Sequence, residues 1–167
     1  MPRGCAAWLN GTVAALSASA AGRRFTASPT IVHPDNGSAV RLLIVEDSDL
    51  IRKVTRLAFP SRQHELHEAE NGRKALEILT SAGEPFDAIV LDLQMPDMNG
   101  VEFLRELRHR PRHAATPIVV ATSETDDSPL LQQARRLGVA AVLKKPWKPH
   151  ELAATVLRAS GRPSQDT

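Results

Sequence analysis

The stretch Ala88-Ile89-Val90-Leu91-Asp92-Leu93-Gln94-Met95-Pro96-Asp97-Met98-Asn99-Gly100 decides the fold. Its first four residues form an unbroken apolar run, the pattern of a strand buried on both faces. The run ends on an acid, Asp92, and passes through a loop at Pro96 to Gly100. Val101, Leu104 and Leu107 then recur at helical spacing until Pro111 stops the pattern. A strand, an acidic end, a loop and a helix make one βα unit.

The unit repeats in both directions. Upstream, Leu42-Leu43-Ile44-Val45 reads as a second buried strand ending in Glu46 and Asp47. A helix follows from Asp49 to Phe59, with Leu50, Ile51, Val54, Leu57 and Ala58 expected on its inner face and Pro60 as its stop. His64 to Ala69 is a more polar strand expected near an edge, and Asn71-Gly72 opens a helix with Ala75, Leu76 and Leu79 inward. Downstream, Pro117 opens Ile118 to Ala121, and Leu130, Leu131, Ala134 and Leu137 mark a helix capped by Gly138. Val139 to Leu143 and His150 to Ala159 complete the series. Five βα units predict an α/β fold, a doubly wound five-stranded parallel sheet with five helices and with residues 88–91 at its centre.

Composition narrows the function. The chain has 167 residues and one cysteine, Cys5, so an intrachain disulfide framework is excluded. No apolar run reaches the length of a membrane span, so no membrane partner is expected. Residues 1–40 hold Arg3, Arg23 and Arg24 against Asp35 alone, whereas residues 41–167 hold 18 basic and 18 acidic residues. A neutral domain, in a chain with only four Phe, two Trp and no Tyr, offers neither the field nor the stacking surface for nucleic acid. The run Arg105, Arg108, Arg110 and Arg112 is expected to be a solvated helix face, and the histidines to be surface residues. Residues 1–40 lack any apolar periodicity and are expected to be a disordered or mis-called leader, with a weak likeness to a secretory or transit segment around Val13 to Ala21. The domain is expected over 41–159 and a flexible tail over 160–167, too short for an output module.

In a parallel α/β sheet the ligand site lies beyond the carboxyl ends of the strands. There the sequence places Glu46 and Asp47, Asp92, Thr122 and Lys145, drawn from a hundred residues of chain. Three carboxylates against one ammonium suit a hard, oxygen-seeking cation such as Mg²⁺. An aspartate beside such a cation and a lysine can accept a phosphoryl group. Asp49 is expected to cap the first helix, and Lys144 to face away from the site.

Five segments, in order and each at a strand end, resemble the receiver domain of two-component response regulators, nearest to the stand-alone chemotaxis type. They are Leu43-Ile44-Val45-Glu46-Asp47, Glu68-Ala69-Glu70-Asn71-Gly72, Val90 to Gly100, Ala121-Thr122-Ser123 and Lys145-Pro146-Trp147. The resemblance implies a flavodoxin-like receiver fold and Asp92 as phosphoacceptor. Mg²⁺ would be held by Asp47, Asp92 and the main-chain carbonyl of Gln94, with Glu46 acting through water. Thr122 and Lys145 would bind the phosphoryl group, and Lys145-Pro146 would be a cis peptide. A sensor histidine kinase or histidine phosphotransfer protein would be the donor. The fourth helix, fifth strand and fifth helix would face a downstream protein, and the domain would work in the cytoplasm without being an enzyme. Two residues depart from the family pattern: Glu46 stands where Asp is commoner, and Val142 where an aromatic often couples the switch.

Other readings are weaker. An aspartyl phosphohydrolase needs an acid two residues past the nucleophile, where this chain has Gln94. A nucleotide or flavin binder needs a phosphate-cradling loop after the first strand, where this chain has Glu46-Asp47-Ser48-Asp49. A phosphate sink and a phosphorylation-independent interaction module remain as alternatives to partner signalling.

Overall fold

A computed structural model describes residues 39–162. Residues 1–38, most of the expected leader, and 163–167 of the expected tail lie outside the described residues. The strands β1 (Arg41–Val45), β2 (Glu65–Ala69), β3 (Ala88–Leu91), β4 (Ile118–Thr122) and β5 (Ala141–Lys144) alternate with five helices. These are α1 (Asp49–Ala58), α2 (Gly72–Ser81), α3 (Gly100–Arg108), α4 (Pro129–Arg136) and α5 (Pro149–Ala159). All strand pairs are parallel, in the order β2-β1-β3-β4-β5. The expected doubly wound sheet is present, with β3 central and β2 at an edge. The winding reverses between β1 and β3, so their carboxyl ends flank a crevice.

Strand alternation divides the core into two layers. Leu43, Val45, Ile89, Leu91, Ile118 and Val120 pack with Ala75, Phe103, Leu104 and Leu131 of α2, α3 and α4. Leu42, Ile44, Val90 and Val119 pack on the opposite face with Leu152 and Val156 of α5. Val40 is buried in that second layer, and its N–H donates to His64 Nδ1 at 3.2 Å, so the packed domain starts ahead of Arg41. At the other end Arg162 pairs with Asp87 at 3.1 Å, within the stretch expected as tail.

Local details correct the sequence reading in four places. Ser48, not Asp49, caps α1, with its hydroxyl accepting the Ile51 N–H; Asp49 is a first-turn acid that pairs with Lys53. Leu50 and Leu57 are 69% and 74% exposed, so the inner face of α1 is narrower than its apolar pattern. His113 is buried rather than at the surface, with Nε2 3.2 Å from the Leu79 carbonyl. Arg108 is only half exposed, because its guanidinium donates to the carbonyls of Ala114, Thr116, Leu137 and Gly138. Gly138 ends α4 at φ +75°, as its expected capping role requires.

Candidate functional site

The β1–α1 and β3–α3 turns carry the acids into the crevice. Glu46 and Asp92 are buried, and Asp47 is exposed beside them. One carboxylate oxygen from each lies within 4.8 Å of the others. Lys145 enters from the end of β5. Its Nζ donates to Glu46 Oε2 at 2.6 Å and to Asp92 Oδ2 at 2.8 Å. The Lys145-Pro146 peptide is cis, as expected.

Each acid is held by main-chain groups. Asp92 Oδ1 accepts the Leu93 N–H at 2.6 Å and, more weakly, the Gln94 N–H at 3.4 Å. Glu46 Oε1 accepts the Ser48 N–H at 3.3 Å. Gly100 lets α3 close on this turn: its N–H donates to the Leu93 carbonyl at 3.0 Å, and a Cβ there would lie 2.8 Å from Leu93 Cα and against the Asp92 carbonyl. Arg52 of α1 was not singled out by sequence, yet its guanidinium donates to the carbonyls of Glu46, at 2.6 Å, and Asp47, at 3.0 Å. Helical spacing from Ser48 places it one turn inside α1, but only the fold turns it back onto the loop.

The electrostatics are unbalanced by design of the turn geometry: three carboxylates face one ammonium. Burial pushes the Glu46 carboxyl above its ordinary range, the hydrogen bond from Lys145 pulls it down, and the Asp92 charge adds to the rise. Burial alone would lower the Lys145 ammonium. Its bonds to Asp92 and Glu46 and their charges outweigh that and hold it above the ordinary lysine value. The Asp47 carboxylate has no partner among the described residues. An all-oxygen donor set with a net charge near −2 fits a divalent hard cation, and Mg²⁺ in particular.

Above the acids opens a cavity of about 680 Å³, lined by Glu46, Asp47, Asp92, Gln94 and Lys145 on one side and by Ile51, Val54, Pro146 and Trp147 on the other. Thr122 ends β4 as expected but does not line the cavity; it is fully buried, and its neighbour Ser123 does. The Thr122 hydroxyl accepts the Glu124 N–H at 3.2 Å. Glu124 was missed by sequence reasoning and is a junction. Its side chain pairs with the Gln94 amide, and its carbonyl accepts Lys144 Nζ. Lys144 also pairs with Asp126 at 3.3 Å, and Asp126 with Arg135 of α4 at 2.7 Å. Val142 is half-buried against the α2–α3–α4 layer.

Comparison with known proteins agrees with this geometry. The family model of the response regulator receiver domain matches residues 42–157. The chain is 34% identical over 120 residues to the regulatory protein AtoC of Escherichia coli, covering 71% of this chain and 25% of that one. It is 30% identical over 131 residues to the transcriptional regulatory protein ResD of Bacillus subtilis, covering 78% and 52%. The chain thus spans about a quarter to about half the length of these curated relatives. The solved structure of chemotaxis response regulator CheY4 of Vibrio cholerae superposes with a TM-score of 0.65 at 34% identity, over 72% of this chain and 98% of that one. The family model covers most of the chain and the fold superposes on a solved chemotaxis response regulator, so the chain belongs to the receiver-domain family of two-component response regulators.

Proposed function

We propose that the protein is a stand-alone response regulator that accepts a phosphoryl group on Asp92 and signals through a partner protein. The carrying observation is Lys145 Nζ set between Glu46 Oε2 and Asp92 Oδ2, with Asp47 open beside them. The donor is a phosphohistidine of a sensor kinase or phosphotransfer protein in the cytoplasm. A carboxylate oxygen of Asp92 attacks phosphorus; the P–N bond breaks, and its electron pair returns to the imidazole, which takes up a solvent proton. Asp47, Asp92 and the Gln94 carbonyl would hold Mg²⁺, with Glu46 behind them, and the ion supplies charge neutralisation for the incoming phosphoryl oxygens. Lys145 keeps its proton and transfers a hydrogen bond from Asp92 to the phosphoryl group. Thr122 offers its hydroxyl from the end of β4.

Phosphorylation adds about −1.5 to −2 charges at Asp92. The Gln94–Glu124–Lys144–Asp126–Arg135 chain of contacts, which Thr122 joins at Glu124, leads from there to the α4–β5–α5 face, which we assign to the downstream partner. That polar route supports signalling with Val142 in place of an aromatic, since Glu124 touches both the acceptor loop, through Gln94, and β5.

The test is intact-protein mass after incubation with acetyl phosphate and Mg²⁺. One phosphoryl adduct is expected, absent in Asp92→Asn and absent with chelator. A folded protein that binds Mg²⁺ and takes up no phosphoryl group would overturn the reading in favour of a phosphorylation-independent module.

A further inference from the structure

The arginines differ in how they are paired. Beside β1 and α1, Arg41 pairs with Glu65, Arg52 with Asp49 and Glu68, and Arg56 with Glu68, and on α4 Arg135 pairs with Asp126. Along α2 and the α3–β4 loop, Arg73, Arg110 and Arg112 make no ion pair among the described residues. Arg110 donates to Thr80 Oγ1 at 2.9 Å, and Arg112 to the Gly83 carbonyl. A neutral acceptor fixes a guanidinium without cancelling its charge, and leaves its other N–H groups free. The excess positive field is felt nearby: besides burial, Arg112 and Arg110 help to push the buried His113 below its ordinary value.

Arg73 and Arg110 line one groove of about 490 Å³, together with Leu76, Glu77, Thr80 and Ser81. We infer that this α2 groove is a docking site for a protein segment carrying two carboxylates three residues apart. The spacing follows from the helix. Arg73 and the Thr80 that holds Arg110 are seven residues apart, about 10 Å along α2. An extended chain rises roughly 3.3 Å per residue, so three residues span that distance. Glu77 lies between the two cations and excludes an acid from the middle of the segment. It also disfavours a continuous phosphate ladder, and no aromatic lines the groove for bases to stack on. The chain's own residues 1–40 are not the occupant, because they hold one acid against three arginines. The groove lies outside the strand-end site and shares no lining residue with it.

The probe is an acetylated, amidated Glu-Ala-Ala-Glu peptide titrated into the full ¹⁵N-labelled chain at low salt. Saturable amide shifts are expected in residues 73–81 and 108–112. Arg73→Gln/Arg110→Gln should weaken binding about tenfold. Arg62→Gln/Arg158→Gln, which removes the same charge elsewhere on the surface, should leave it unchanged. Glu77→Gln should tighten binding. Equal weakening by the two double variants, shifts mapping elsewhere, or no saturable shift would overturn the assignment. Tighter binding of a short DNA duplex at the same ionic strength would reassign the groove to nucleic acid.

Discussion

Helices α1 and α3 both start at the crevice, each just after a strand that supplies acids, yet they are held in opposite ways. Helix α3 buries Gly100, Val101, Phe103, Leu104 and Leu107, whereas α1 buries Thr55 alone. What α1 lacks in burial it replaces with polar ties: Arg52 to the carbonyls of Glu46 and Asp47, Arg56 to Glu68, and Lys53 to Asp49. Exposed ion pairs contribute only about 0–1 kcal/mol each, against about 1.5–3 kcal/mol for a fully buried large apolar side chain. Asp92, the proposed acceptor, therefore sits on the rigid side of the crevice, and Glu46 and Asp47 on the compliant side. Under the proposed function, that division would keep the nucleophile fixed and let the other acids adjust to a cation and a phosphoryl group.

The sharpest way to break this contrast is in α3. Phe103 is fully buried in the larger core layer. Phe103→Ala should cost about 3–5 kcal/mol of unfolding free energy, read from urea denaturation. A loss below about 1 kcal/mol would mean that α3 is not the anchor. Next comes Gly100→Ala. The added Cβ must displace Leu93 or the Asp92 carbonyl, so overpacking should cost about 1–3 kcal/mol, and acetyl phosphate labelling of Asp92 should slow. Gly83→Ala is the control. A Cβ there meets nothing within 4 Å, and both stability and labelling should hold.

Much of this was readable from the chain. Strands β1, β3 and β4 are continuous apolar runs, and a residue that follows such a run is placed at the sheet's carboxyl edge by connectivity alone. Glu46, Asp47, Asp92 and Lys145 converge for that reason. Thr122 lies at the expected strand end, on the side of the sheet that Ile118 and Val120 face, but its bond from the Glu124 N–H is a loop contact with no periodicity to announce it. The α1 face was misread because Leu50 and Leu57 fit the helical repeat, while the layer they would pack on is already filled by Leu42, Ile44, Leu152 and Val156. By polarity alone Arg108 and His113 read as surface residues. Arg108 is drawn in by four carbonyls at chain turns, and His113 by the Leu79 carbonyl in the last turn of α2, and such acceptors are invisible until the loops are placed. Ser48 takes the cap in place of Asp49 because the helix starts at Asp49, one residue earlier than an Asp49 cap would require.

The smallest expected effect tests the compliant side directly. Leu50 and Leu57 are apolar by sequence and exposed in the fold, so replacing them should remove almost no buried area. The double variant Leu50→Ser/Leu57→Ser should change unfolding free energy by no more than about 0.5 kcal/mol per site, the usual range for surface substitutions away from caps and buried networks. Burial of these leucines against α5 or a second copy would instead show as a loss of about 2 kcal/mol or more, because a buried leucine deleted from a packed layer costs that much. The same variant separates folding from recognition. If phosphoryl transfer from acetyl phosphate is unchanged but transfer from a phosphohistidine protein falls, the two leucines are contact residues for the donor. If both are unchanged, their exposure marks only the narrow seat of α1. A stability loss of the larger size would place α1 in the core after all and erase the difference between the two sides of the crevice.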